Sequence, residues 1–202
     1  DSKKFDQTEQ MPADVINGWK ELGFFGLIIP EKYGGSGLNA TSYVRILEEI
    51  GTYDGSTALL IGAHQSIGLK GLLLFGTEQQ KKKYLPRLAS GEMIAAYALS
   101  EPNAGSDAGG IQTRAVRDEA KGVYRLNGSK RWITNCGIAD FFTIFAKEEL
   151  QTAQNIKQDK ITAFIVTRDM GIKSGKEEKK LGIRSSSTTA LFLDNVEVPF
   201  EN

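Results

Sequence analysis

The sequence predicts a multidomain α+β protein: an all-helical N-terminal domain followed by an antiparallel β-barrel or sandwich. Three observations predict it. Up to about residue 90, apolar residues recur at helical spacing. From Met93 onward the period falls to two, as in strands. The strand-like runs are joined by short turns, without the helix-length crossovers of an alternating α/β fold. The boundary falls between Ser90 and Met93, which gives a helical domain over 1–92 and a β domain over 93–202.

The elements follow in order. A first helix starts near Pro12, a residue pre-set for a first helical turn, and carries Val15, Ile16, Trp19 and Leu22 before Gly23 stops it. The run FFGLIIPEKYGGSG reads as a buried crossing segment and then a surface loop. A second helix covers 40–52, with Tyr43, Ile46, Leu47 and Ile50 on one face. A third begins near Ser56 and is apolar nearly all round, so it should be central. A fourth follows Thr77, where Thr77 and Gln80 have capping-box spacing, and Pro86 should end it. Strands are expected over 93–99, 111–117, 123–126, 130–134, 141–147, 161–167 and 189–198. Asn127-Gly128 signals a hairpin turn. Residues 148–160 and 171–180 read as polar loops.

Composition narrows the function. A formal net charge of zero gives no support for nucleic-acid binding. A single cysteine, Cys136, excludes an internal disulfide and suits a reducing compartment. The polar start resembles no targeting peptide, and the apolar run over 55–69 is short and glycine-rich for a membrane span. The chain closes on FEN without the signal of a domain end, so a longer parent is expected.

Chemistry concentrates between Tyr97 and Gly137. In the turn 101–110, Gly and Asn allow tight backbone geometry, and successive N–H groups can form an anion nest for a pyrophosphate. Ser100 and Ser106 add hydroxyls. Glycine spacing excludes the Rossmann fingerprint. By residue type alone this turn reads equally as a plain sheet connection, with Glu101 and Asp107 as local caps. Trp132 offers a broad apolar face to a ring system and Thr134 a hydroxyl, although a strand Trp is commonly plain core. His64, the only histidine, reads as a packed core residue, and Cys136 as a buried thiol with no base nearby in sequence. Lys81, Lys82 and Lys83 read as a solvated helix face.

The segments ALSEPNAGSDAGGIQTRA and LNGSKRWITNCGIADFFTIFAK resemble the two signature regions of acyl-CoA dehydrogenases. GLIIPEKYGGSGL, LLFGTEQQKKKYLPRLASGE and TTALFLDNVEVPFEN resemble the same family in matching order, and the phrases GAHQSIGLKG and DKITAFIVTRDMGI lean toward its long-chain and very-long-chain mitochondrial branch. The resemblance implies FAD, an acyl-CoA substrate and α,β-dehydrogenation in fatty-acid β-oxidation. Electrons would pass to electron-transferring flavoprotein. It also implies a homo-oligomer and peripheral inner-membrane association through segments outside this chain.

Carried over position by position, Tyr97, Leu99 and Ser100 match flavin-lining residues. Gly105 and Ser106 match the turn near the pyrophosphate, with Ser106 also near the substrate's pantetheine arm. Trp132 and Thr134 match the residues packed against the flavin ring. Gly62, Ala63 and Ile67 match a helix that lines the acyl tunnel. Cys136 stands where similar long-chain members often have Gly. No acid here matches the family's catalytic Glu, which belongs to a third, helical domain absent from this chain. The resemblance therefore implies a piece inactive by itself. The alternatives within it are a non-catalytic assembly scaffold and an acyl-CoA oxidase.

Overall fold

The computed structural model describes residues 2–151 and 157–202. Six helices come first: α1 (Ser2–Thr8), α2 (Ala13–Glu21), α3 (Ala40–Tyr53), α4 (Gly55–Ala63), α5 (Lys70–Phe75) and α6 (Glu78–Ala89). Seven strands follow: β1 (Ala95–Ala98), β2 (Arg114–Asp118), β3 (Val123–Thr134), β4 (Phe141–Gln151), β5 (Lys157–Thr167), β6 (Lys173–Glu177) and β7 (Thr188–Pro199). Helices first and a curled sheet second is the expected class.

Local chemistry explains the helix starts. Asn39 accepts from the Ser42 amide, Asp54 from Thr57, and Thr77 and Gln80 close both bonds of the capping box. Pro12 caps α2, which begins one residue later, while α1 went unforeseen. α4 and α5 are joined by a π-helical turn, His64–Gly68, into one helical run Gly55–Phe75. Its length and composition would suffice to cross a membrane, but half of its most apolar window is buried within the fold. The π turn sends two consecutive residues, His64 and Gln65, inward and leaves Ile67 exposed.

Pro86 does not end its helix. α6 continues to Ala89, because Tyr84, Leu85 and Leu88 are buried around it and their packing outweighs one lost backbone bond. Asn127-Gly128 does not reverse the chain either. β3 runs straight through it, paired with β2 on one side and β7 on the other, with a bulge at this point. Residues 148–151 and 157–160 are not loop: they extend β4 and β5 into a long antiparallel hairpin. The rest of that expected loop, 152–156, lies outside the described residues. The segment expected as a loop over 171–180 contains β6.

The sheet order is β1-β4-β2-β3-β7-β6, with β5 on β4. Most pairs are antiparallel, but β1 and β2 both run parallel to β4. They share β4 successively: Ala95–Ala98 pairs with Phe141–Ile144, and Arg114–Ala115 with Lys147–Glu148. Between them the chain leaves the sheet at Leu99 and returns at Arg114, and this excursion carries the 101–110 turn. One core lies inside the curl around Leu126, Phe142, Phe164 and Leu191. A second, with Leu69, Tyr84, Ala95 and Phe141, binds the helices to the outer face of β1 and β4. A third, with Phe25, Tyr43 and Leu60, holds the helices together.

Candidate functional site

Every second residue of β1 faces the curl, so Ala96 and Ala98 are buried there. Tyr97 points the other way, half-buried, its ring 5.1 Å from that of Phe145. Burial pushes its phenol up from the ordinary value. Ile67, Lys70, Leu74, Phe75, Tyr97 and Phe145 help line a groove of about 470 Å³ between α5 and the sheet.

Beyond β1, Leu99 and Ser100 are partly buried alongside β3. The Arg131 amide donates to the Ser100 carbonyl at 2.9 Å. Glu101 and Ala104 bond each other's backbone in a tight turn, after which Gly105 and Ser106 are exposed. Among the described residues, the Gly105 and Ser106 amides have no protein acceptor.

On the other side of this contact β3 itself bulges, between Lys130 and Ile133. Trp132 sits in the bulge with φ +58°, a left-handed backbone rare for so bulky a residue. Its ring is 55% exposed, with the Arg131 guanidinium 4.9 Å from the ring centroid. A tryptophan that served as core would be covered; this one is held out beside Ser100. Thr134 is half-buried two residues on, paired with Thr188. Asn135, also left-handed at φ +66°, is fully buried and donates to the Leu60 and Ala95 carbonyls. Its Oδ1 has no partner among the described residues.

The structure brings Leu99 and Ser100 against Lys130 and Arg131, next to Trp132; Gly105 and Ser106 follow on the exposed excursion, and Thr134 lies two residues along β3 from Trp132. The three helix positions divide. Ile67 lines the groove, Ala63 is buried, and Gly62 faces Leu47 and Tyr43 of α3. His64 is fully buried: its Nδ1 accepts from the Ala95 amide and its Nε2 faces the Phe25 and Leu88 carbonyls. Burial pushes its pKa down to about 4 against those backbone bonds. Cys136 is buried with Sγ 3.6 Å from Ser174 Oγ, and the Lys81–Lys83 side of α6 is largely solvated.

Glu101 is not a local cap. Its carboxylate accepts from the Gln112 amide at 2.5 Å, the Thr113 amide at 3.0 Å and the Thr113 hydroxyl at 2.5 Å. It also pairs with buried Lys130 at 2.8 Å. Burial pushes the carboxyl up, but its hydrogen bonds prevail and hold it below the ordinary value. Burial pushes the Lys130 ammonium down, and Glu101 pulls it only part-way back. The one signal in sequence was a lysine at an inward position of an alternating strand. Among the described residues, no group of three or more His, Cys, Asp or Glu gathers to hold a metal.

Two family profiles match the chain: the acyl-CoA dehydrogenase N-terminal domain over residues 1–92, and the acyl-CoA dehydrogenase middle domain over 96–196. The chain belongs to the acyl-CoA dehydrogenase family. A mitochondrial very long-chain specific acyl-CoA dehydrogenase of Bos taurus is 50% identical across all of this chain, which covers 31% of that relative. Butyryl-CoA dehydrogenase from Megasphaera elsdenii superposes with a TM-score of 0.88 at 39% identity, over 98% of this chain and 52% of that one. An acyl-CoA dehydrogenase from Bacillus anthracis complexed with FAD gives a TM-score of 0.85 at 45% identity, over 94% of this chain and 31% of that one. The chain thus spans about a third of the length of the very long-chain relatives it matches, and its likeness extends to more than one branch of the acyl-CoA dehydrogenases.

Proposed function

We propose that this chain forms the flavin-facing part of an FAD-dependent acyl-CoA dehydrogenase acting on long or very long acyl chains. The observation that carries the reading is Trp132: a large aromatic ring held exposed, at a strained backbone position, beside the Ser100 turn. The residues present suit the cofactor. An open indole face suits an isoalloxazine ring, hydroxyls at Ser100 and Thr134 suit its polar edge, and unpaired amides at Gly105 and Ser106 suit a pyrophosphate. FAD, when bound, supplies the hydride acceptor for α,β-dehydrogenation.

The chain's own residues do the rest. Trp132 would pack against the ring, with Tyr97 and Leu99 from β1 beside it, and the 101–110 turn would hold the phosphates, Ser106 also meeting the pantetheine arm. Ile67 borders the apolar groove that would take the acyl chain, with Gly62 and Ala63 keeping the helix slim behind it. The proton is taken by a base outside this chain, because Glu101, the carboxylate nearest the ring site in sequence, is committed to Lys130 and Thr113. Electrons pass on to electron-transferring flavoprotein, in an oligomeric mitochondrial enzyme; the bovine relative's mitochondrial location supports the compartment.

The test is the full-length protein with acyl-CoAs from short to very long. The expected result is a flavin visible spectrum bleached chiefly by long chains, and no enoyl-CoA formation by the 202-residue chain alone. A colourless protein overturns the flavin reading, and turnover by the isolated chain overturns the external base.

A further inference from the structure

Lys130 and Glu101 are 1% and 5% exposed. A buried ion pair seldom stabilises a fold better than apolar residues of the same shape would. What it supplies is direction, since each bond fixes an angle as well as a distance. Here the bonds join three separate stretches of chain. The Lys130 ammonium, on β3, bonds the Leu99 carbonyl at the end of β1 and the Glu101 carboxylate at the start of the excursion. That carboxylate in turn holds Gln112 and Thr113, where the excursion ends. Both ends of the loop that carries Ser100 and Ser106 are thereby pinned to a point two residues from Trp132.

Gly128 serves the same junction. A Cβ there would lie 2.5 Å from Thr113 Oγ1, so only glycine lets the Thr113 hydroxyl reach the carboxylate. Between its pinned ends the loop's own hydrogen bonds are few, chiefly the Glu101–Ala104 bridge and one 3-10 turn, Ala108–Gly110, while Ala104 and Ile111 are buried as apolar anchors. Apart from the pair, the Arg131–Ser100 backbone bond is what joins the loop's start to the bulge.

We propose that Glu101 and Lys130 are positioning residues that set the spacing between the Ser100–Ser106 loop and Trp132, and through it the seat of the ring. The proposal rests on the flavin reading above but is separable from it. Glu101→Gln, Lys130→Met and the double variant Glu101→Leu/Lys130→Met are made in the full-length protein. Melting temperature, FAD affinity, the visible bands and amide hydrogen exchange over residues 100–113 are measured for each. Trp132 fluorescence is read as the difference between each protein and its Trp132→Phe counterpart.

Each single variant is expected to melt earlier and to bind FAD about tenfold more weakly. The double variant should regain most of the melting temperature, because no lone charge remains buried. Its FAD affinity, visible bands and loop exchange should stay perturbed. Recovery of affinity and exchange together with stability would overturn the proposal and leave a merely structural pair. If the single variants do not fold, Thr113→Val removes one hydroxyl from the same carboxylate. It should loosen exchange over 100–113 and weaken FAD measurably, and wild-type values for both would overturn the latch. A wild-type protein without flavin sinks the flavin reading alone: exchange and Trp132 fluorescence in the apoprotein still decide whether the pair holds the loop.

Discussion

The helical half and the sheet half bury polar side chains in opposite ways. In the helical half, His64 and Gln65 are completely buried and both are satisfied by backbone groups. Gln65 accepts from the Ile28 amide and donates to the Phe24 carbonyl, while His64 ties the helix to β1, Phe25 and Leu88. All of these bonds are between neutral groups. In the sheet half the buried polar centre is an ion pair, and just beyond it two non-glycine residues, Trp132 and Asn135, sit at positive φ. Buried charge and left-handed non-glycine backbone coincide along Lys130–Asn135, and the His64–Gln65 centre has neither. A fold departs from its local preferences where function requires a particular geometry.

The contrast is broken most directly at Glu101. Glu101→Ala leaves the Lys130 ammonium buried without its carboxylate, an uncompensated charge that should cost about 3–5 kcal/mol. The measurement is the urea midpoint against wild type. A loss below about 1 kcal/mol, the range of an exposed pair, would mean the charge is solvated and the two halves are not different in kind.

The neutral centre predicts a pH dependence of definite sign. The folded pKa of His64 is about 4, below the ordinary value of 6.5, so protons bind the unfolded chain more tightly. Its contribution is full above pH 6.5 and is lost as pH falls through 4, to a total of about 3 kcal/mol. Unfolding at pH 7, 5 and 4 should show this fall, and a His64→Gln variant should lack that part of it. The imidazole signal in NMR that disappears in the His64→Gln variant reads the folded pKa directly. A value at or above 6.5 would show that the ring is not buried neutral.

The two halves also differ in how far the sequence disclosed them. Helix starts are local events, and the Thr77–Gln80 box could be read because both its bonds close within four residues. The change of period at Met93 marked the onset of the sheet for the same reason. Several misreadings concern a local signal overruled from a distance. Asn127-Gly128 is a turn sequence, but Gly128 is there for Thr113 to approach. Pro86 is a breaker, but the apolar residues around it are packed. The polar run after residue 147 forms a hairpin whose strand-length pairing no alternation announced. Glu101 looked like a cap because its partners lie 11 to 29 residues away. The site residues came through motif resemblance, while the exposure of Trp132 followed from a bulge that residue types do not show.

The smallest expected effect on stability is the sharpest test of where strain is stored. Trp132→Gly removes a ring that is 55% exposed, so little burial is lost, and glycine adopts φ +58° without the penalty a tryptophan incurs. The relief of about 1–2 kcal/mol in the left-handed region opposes the loss of packing and the entropy glycine adds to the unfolded chain. The apoprotein should therefore melt within about 1 kcal/mol of wild type, although substituting a half-buried aromatic residue ordinarily destabilises. FAD binding should fall sharply in the same variant. If instead Trp132→Gly costs more than about 2 kcal/mol without FAD, the ring is structural packing, and the strained bulge exists for the fold and not for a ligand.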